Sequence, residues 1–235
     1  MESRSKTTAT LKWTFDAAPL EIGVDEAGRG PLFGRVYAAA VVIDPDSMTH
    51  EAAAAAGVEI KDSKKFHSKR KLGRAAEFIR SHAKYWAVAY EEASVVDEIN
   101  IRRANFRAVH QCIADIIHQS NVVESKNIMV FMDGNDFLPM RFPRPKNDDD
   151  TNDEEDLVPA QTIVGGDRQF APIACASILA KNARDTYIEE LCTLEPYLDT
   201  YYGLMKNMGY GTKQHFEGLR TYGLSPYHRR SFVHL

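Results

Sequence analysis

Hydrophobic positions along the chain change period several times, and each change marks an element. EIGVD (residues 21–25) alternates apolar and polar, while RVYAAAVVI (35–43) is an almost unbroken apolar run. Alternation marks a half-buried strand, and a continuous apolar run marks one central in a sheet. The turn formers of GRGPLFG between them predict an antiparallel hairpin. EAAAAAG (51–57) is helix-prone but too short to hold a helix alone, so it reads as a surface excursion. KRKLGRAAEFIRSHA (69–83) places Leu72, Ala76 and Ile79 at helical spacing, and YWAVAYEEA (85–93) follows as a strand. INIRRANFRAVHQCIADIIHQSN (99–121) sets Phe106, Val109, Ile113, Ile116 and Ile117 on one face, an amphipathic helix. NIMVFMD (127–133) and PAQTIVGGD (159–167) are two further strands. Pro172 then opens a long helix as a first-turn proline, whose Ala174, Ala176, Ser177 and Ala180 allow close packing on a sheet. From Gly203 onward the chain reads as loops and helix, TKQHFEGLRTYG (212–223) being the clearest. Two strands followed by alternating helices and strands predict a mixed α/β sheet with helices on both faces.

Composition adds limits. At 235 residues, with 44% hydrophobic and 26% charged side chains, the chain fits one globular domain with a small appendage. No run approaches a membrane span, and MESRSKTTATLKWTF lacks an apolar signal core, which argues against secretion. Cys112, Cys175 and Cys192 form no CxxC pair and read as buried thiols of a reducing compartment, taken to be the cytoplasm. The stretch 139–159 surrounds the acidic NDDDTNDEED with Pro139, Pro143, Pro145 and Pro159, predicting a mobile loop inserted in the domain. Its seven acids alone make the net charge of −4 negative. Bases concentrate in Lys61–Arg74 and in His228–Arg230, a distribution that suits a phosphate-bearing partner, although charge alone equally fits a solvated surface.

Four carboxylates carry the chemistry: Asp25 and Glu26 in VDEAGRGP, Asp133 in FMDGND, and Asp167 in VGGD. Each lies at or just past a predicted strand, so the sheet would gather them at one end. Acids converging there repel one another unless a cation lies between them, and oxygen-rich sites of this kind select magnesium or manganese. Singly, each has a plainer reading: a polar hairpin turn for the Asp-Glu pair, a turn or helix cap for Asp133 and Asp167. Neighbours on a strand also point to opposite faces. Asp25 and Glu26 are therefore expected to reach one site only if the chain leaves β geometry there, with Gly28 and Gly30 supplying the freedom. Arg29 is placed to hold a phosphate. Tyr210, flanked by Gly209 and Gly211, is an unshielded aromatic plate suited to a sugar or base.

DEAGRGPLFG, KDSKKF, DEINIRRAN, MDGN, GGD, ASILAKNARD, MGYGTKQH and SPYHRRSF, in that order, resemble ribonuclease HII, the type 2 ribonucleases H, from about Ile22 to Phe232. The resemblance implies the ribonuclease H fold, a five-stranded mixed sheet flanked by helices with a C-terminal helical extension. It implies an N-terminal extension over residues 1–20, a catalytic domain over 21–195 and a helical substrate-binding extension over 196–235. It further implies hydrolysis of RNA in RNA–DNA hybrids and incision 5′ to ribonucleotides embedded in duplex DNA, leaving 3′-hydroxyl and 5′-phosphate ends. Asp25, Glu26, Asp133 and Asp167 would bind two divalent ions, Mg²⁺ or Mn²⁺, roughly 3.5–4 Å apart in sites of this type. Backbone groups of Gly28, Arg29 and Gly30 would read the 2′-hydroxyl, the group that separates RNA from DNA, with Tyr210 against the junction sugar. Lys64 and Lys181 would contact phosphates, Arg184 and Asp185 would form a supporting ion pair, and His228, Arg229 and Arg230 would anchor the tail.

Three departures from the family pattern stand out. Gly165-Gly166-Asp167 replaces the usual Lys-Gly-Asp and loses a positive charge. MKNM before GYGT is less basic than usual, and the 139–159 insertion is longer and more acidic. Weighed beside this reading are a resolvase-type DNA nuclease of the same fold, a non-catalytic nucleic-acid binder, and a calcium module. The last lacks EF-hand spacing. A monomer is the default state.

Overall fold

The computed structural model of the chain describes residues 11–143 and 156–233. The five expected strands are present: β1 (Leu20–Ala27), β2 (Val36–Val42), β3 (Tyr85–Glu91), β4 (Ile128–Asp133) and β5 (Ala160–Ile163). They form one sheet in the order β3-β2-β1-β4-β5. β2 runs antiparallel to both β1 and β3, confirming the hairpin, whereas β1, β4 and β5 run parallel. The helices are α1 (His50–Ala55), α2 (Lys69–His82), α3 (Ala93–Ile99), α4 (Ile101–Ser120), α5 (Ala171–Leu194), α6 (Tyr197–Tyr202), α7 (Leu204–Asn207) and α8 (Lys213–Tyr222).

The two-residue period of the strands sorts their side chains between two cores. Leu20, Ile22, Val24, Val130 and Met132 face α4, meeting Val109, Cys112, Ile113 and Ile116. Ala39 and Val41 face the other way, toward Leu72, Ala76 and Ile79 of α2 and Cys175, Ile178 and Leu179 of α5. A third core joins Leu32 and Phe33 to Ile188 of α5 and to Leu198, Tyr202, Leu204 and Leu219 of α6–α8. All three cysteines are buried free thiols. Among the described residues no helix is long and apolar enough to cross a membrane.

Three expectations change. EAAAAAG is not a loose excursion: α1 forms, capped by the Thr49 side chain accepting the Ala52 N–H, with Ala53 buried against the α2–α5 core. Tertiary packing and a cap supply what six residues of propensity lack. The strand expected over 85–93 stops at Glu91, because Glu92 already caps α3. The expected mobile loop over 139–159 falls largely outside the described residues, but its flanks are paired. Phe142 N–H donates to the Asp156 carbonyl (2.7 Å) and Val158 N–H to that of Met140 (2.9 Å), and Phe142 and Val158 are buried in the α4-side core.

Gly23, at the centre of β1, sets how close α5 comes. A β-carbon there would lie 2.4 Å from the backbone carbon of Pro172 and 2.5 Å from its Cβ. Side-chain absence at one residue thus lets the first turn of α5 rest on the strand that carries Asp25. Gly23→Ala is expected to destabilise the protein by about 2–3 kcal/mol through overpacking, measured as a shift in urea midpoint at unchanged slope. An unchanged midpoint would show that α5 withdraws without cost.

Candidate active site

β1 and β4 are adjacent and parallel, and their last paired residues are Val24 and Met132. One step on, Asp25 and Asp133 end the shared ladder side by side. β4 stops there, whereas β1 continues to Ala27 with Asp25, Glu26 and Ala27 still paired to Ala39, Ala38 and Tyr37 of β2. The expected break in β geometry at the Asp-Glu pair is therefore absent, and it comes later, at Gly28 (φ +93°). Both faces of β1 nevertheless reach the site, because β1 overhangs the end of β4. Asp25 lies on the α5 side, where the Ser177 hydroxyl lowers its proton affinity against the effect of burial, and Glu26 lies near Arg29, whose Nη1 donates to Oε1 at 3.3 Å.

Asp133 is the hub. Its charge raises the proton affinity of Asp25, Glu26 and Asp167 alike. Its Oδ1 accepts the Gly166 N–H at 2.7 Å, which ties the end of β4 to the short 3₁₀ turn Gly166–Arg168 that carries Asp167. Burial is the main reason that all three neighbours sit above the ordinary carboxylate range, Asp25 well above it. Repulsion from Glu26 and then Asp133 adds to this at Asp25, and from Asp133 and Asp62 at Asp167. The four predicted acids are brought together.

Cations border the cluster. Lys64 pulls down the proton affinity of both Glu26 and Asp167, so its ammonium faces the acids. Arg168 Nε lies 3.6 Å from Asp167 Oδ1, and its guanidinium lies over Gly165, where a β-carbon would meet Nη2 at 3.4 Å. The positive charge missing from the Gly-Gly-Asp motif is thereby returned from the residue after Asp167. Lys181 is bound to Asp185 (2.7 Å), while Arg184 stands 3.9 Å from Asp185 and donates instead to the Met208 carbonyl (2.6 Å). The expected Arg184–Asp185 ion pair is thus mainly a Lys181–Asp185 pair, since helical i,i+4 spacing favours it. Beside the acids, Lys61, Lys65, Lys71, Arg74 and Arg168 line an open cavity of about 640 Å³ with Trp13 and Phe66 in its wall.

The substrate-facing loops stand to one side. Tyr210 is 52% exposed, and a β-carbon on Gly30 would lie 3.8 Å from its Cε1, so the two predicted sugar readers face each other. Gly28 must be glycine on two counts: its positive φ, and a β-carbon that would come 2.5 Å from Arg184 Nε. Sequence reasoning missed Ser177, hydrogen-bonded to Ser63 at 2.8 Å in the buried floor under Asp25. Only the small residues of α5 hinted at it. It also missed Asp62, whose carboxylate caps the Lys64 N–H (2.9 Å) and so fixes the turn presenting Lys64.

The donor set fits a hard divalent cation. Glu26 Oε2 is buried and has no hydrogen-bond partner, an orphaned anionic oxygen that costs free energy unless a cation meets it. As they stand, no three or more Asp, Glu, His or Cys side chains among the described residues are grouped so as to hold a metal ion. Asp25 accepts the Glu26 N–H, Glu26 accepts from Arg29, and Asp133 accepts the Gly166 N–H.

Comparisons with known proteins bear on the family and the fold. The family described as Ribonuclease HII matches residues 22–235. The ribonuclease HII of Parabacteroides distasonis is 36% identical over 214 residues, covering 91% of this chain and 90% of that protein. That of Dechloromonas aromatica is 38% identical over 213 residues, covering 91% and 90%. The Archaeoglobus fulgidus ribonuclease HII, solved in complex with PCNA, superposes with a TM-score of 0.63 at 22% identity, covering 92% of this chain and 96% of that one. Its likeness bears on the fold, which is the mixed five-stranded sheet expected.

Because Asp25 holds its proton more tightly in the folded, metal-free protein than when unfolded, its stabilising contribution is complete below the ordinary carboxylate range. That contribution is lost as pH rises through the raised value. Asp25→Asn is therefore expected to melt above wild type in EDTA at pH 8, with the gap closing toward pH 4. Mn²⁺ should raise the wild-type melting temperature at pH 8, by about 2.7 kcal/mol of stability at a hundredfold excess over Kd, and far less at pH 5, where protons compete. An Asn variant melting below wild type at pH 8 in EDTA would contradict a repulsive acidic cluster.

Proposed function

This chain belongs to the ribonuclease HII family, and we propose that it hydrolyses the RNA strand of RNA–DNA hybrids and incises 5′ to ribonucleotides embedded in duplex DNA, leaving 3′-hydroxyl and 5′-phosphate ends. The observation that carries the reading is the gathering of Asp25, Glu26, Asp133 and Asp167 around the ends of β1 and β4, with Lys64 facing them.

The family depends on divalent metal, and in our reading Asp25, Glu26, Asp133 and Asp167 hold two ions, Mg²⁺ or Mn²⁺. Bound there, the ions supply a nucleophile at neutral pH and neutralise charge on the departing 3′ oxygen. The protein's own groups do the rest. Asp133 holds the Asp167 turn at a fixed distance from β1 through the Gly166 N–H. Lys64 meets the scissile phosphate, and its charge is kept forward by the Asp62 cap. The main-chain groups of Gly28, Arg29 and Gly30 engage the 2′-hydroxyl, which both donates and accepts. Tyr210 lies flat against the adjoining sugar. Lys61, Lys65, Lys71 and Arg74 track duplex phosphates, which fixes register without reading sequence. Lys181 adds to the local positive field while paired with Asp185.

α6–α8 act as the substrate-binding extension expected over 196–235, since Tyr210 precedes α8 and their core includes Leu32 and Phe33 beside the GRG loop. Every group invoked comes from one chain, so a monomer suffices. The buried free thiols accord with the cytoplasm. The resolvase reading gives no role to the GRG loop and Tyr210, and the non-catalytic reading gives none to four retained acids.

A duplex carrying one ribonucleotide should be cut on its 5′ side in Mg²⁺ or Mn²⁺, with ends mapped by ligation and phosphatase sensitivity. Metal-ion catalysis contributes several kcal/mol of charge stabilisation, at about 1.4 kcal/mol per tenfold. Asp25→Asn and Asp133→Asn should therefore each lower kcat by about 10³-fold or more. Intact substrate with wild-type protein in both metals would overturn the assignment.

A further inference from the structure

We infer that His228 and Arg229 of the C-terminal tail are positioning residues for substrate discrimination, clamping the GRG loop and the Tyr210 loop into one rigid reader. The inference rests on the reading of those loops as the sugar-recognition elements.

Arg229 is completely buried, with a relative exposure of 0%. Its guanidinium forms no ion pair among the described residues and is spent on carbonyl oxygens of one loop. Nε donates to Gly34 (2.8 Å), and Nη1 donates to both Pro31 (3.0 Å) and Arg29 (3.2 Å). Its own N–H donates to the Leu32 carbonyl (2.8 Å), and the Gly34 N–H donates to that of Tyr227 (2.9 Å). Five hydrogen bonds therefore span 193–200 residues of sequence to hold residues 29–34. One of them ends on the carbonyl of Arg29, within the tripeptide that would meet the 2′-hydroxyl.

His228 secures the second loop through a chain whose proton positions are settled by elimination. The Ser225 N–H can only donate, so His228 Nδ1, 3.0 Å away, is the acceptor and carries no proton. His228 is then protonated on Nε2, which donates to His215 Nε2 at 2.9 Å. His215 must hold its proton on Nδ1, where it donates to the carbonyl of Tyr210 at 3.0 Å. Both imidazoles are buried and neutral, and burial, with the neighbouring ring, pushes His228 down to about 3. A one-directional relay thus runs from the tail to the backbone of the aromatic reader.

The two halves are joined. The Leu32 N–H donates to the Gly209 carbonyl at 2.9 Å, and Arg184, beneath Gly28, binds the Met208 carbonyl. Past Arg229 the tail is fastened on its far side, where Asp97 accepts the N–H groups of Arg230 and Ser231 and the Ser231 hydroxyl. None of these contacts is made to Asp25, Glu26, Asp133 or Asp167 themselves; the clamped loop touches the acids through the Arg29 side chain, whose Nη1 donates to Glu26 Oε1 at 3.3 Å. Loosening the clamp should consequently disturb sugar reading while leaving the metal-binding acids in place.

The test compares wild type with Arg229→Lys, which keeps charge but cannot span three carbonyls, and with His228→Phe and His228→Gln. The Gln amide can restore an N–H toward His215, so it serves as the conservative rescue. Each is assayed for binding in Ca²⁺ to a duplex with one ribonucleotide and to its all-DNA counterpart, for KM and kcat in Mg²⁺, and for Mn²⁺-induced shift in melting temperature. Misplaced recognition groups cost about 10- to 100-fold, and the ribo/deoxy binding ratio should fall by that factor in Arg229→Lys and His228→Phe. KM should rise with it, His228→Gln should recover most of the loss, and the Mn²⁺ shift should stay at its wild-type size. A purely structural role would instead lower melting temperature and metal response together and weaken both duplexes equally. An unchanged ratio in either folded variant overturns the clamp. If Arg229→Lys does not fold, the His228 pair decides alone. Wild-type protein that binds both duplexes equally would refute the sugar-reading loops themselves, a result distinct from failure of the clamp.

Discussion

Repulsion between carboxylates sets the terms for this structure. Asp25 and Asp133 lie one register step beyond Val24 and Met132 on two parallel, adjacent strands, so backbone hydrogen bonding holds them together whether or not their charges agree. Glu26 follows on the same strand, and Asp167 is tied in through the Gly166 N–H. Removing such charges from water is costly, and like charges raise the cost further. The fold withstands this because the strands are central, with a full apolar core on each face, and because Gly23 lets α5 press directly on β1. The rest of the domain supplies stability that the acidic end subtracts.

Of the cations around the cluster, Arg29 pairs with Glu26 at 3.3 Å, whereas two others stand off from the acids. Lys64 and Arg168 approach from the solvent side, where Arg168 is largely exposed and Lys64 is held by a turn. Neither makes a close buried ion pair with the four acids, which would occupy the oxygens a divalent ion needs. Lys181, by contrast, is engaged by Asp185 on the same helix. The difference between a cation poised at a site and one already paired is the difference between 3.6 Å and 2.7 Å.

Local pattern made much of this legible. Five strands, the hairpin, α4 and the proline-led α5 follow from periodicity and turn residues, and the four acids follow from their positions at strand ends. What escaped was set by long-range geometry. A strand that overhangs its shorter neighbour lets Asp25 and Glu26 share one space without breaking β geometry, and no window of sequence reports where the neighbour stops. Replacement of a motif lysine by Arg168 depends on a side chain folding back over a glycine, not on position in the motif. Ser177 looked like one more small residue on a packed helix. Arg229 is expected to anchor the tail, but nothing local announces that its partners lie about 200 positions earlier.

Carbonyls, not a carboxylate, hold Arg229, and that choice has a consequence for the division of labour. The carbonyl oxygens of Gly34, Pro31 and Arg29 meet Nε and Nη1, while Nη2 is buried without a hydrogen-bond partner among the described residues. These contacts fix three points along one loop, where a single carboxylate would fix none of its backbone. Arg184 likewise donates to a carbonyl, that of Met208. Chemistry resides on the sheet and recognition on loops braced by neutral contacts. The two share a boundary only at Gly28, where β1 ends and the backbone must turn through a conformation that glycine alone adopts easily.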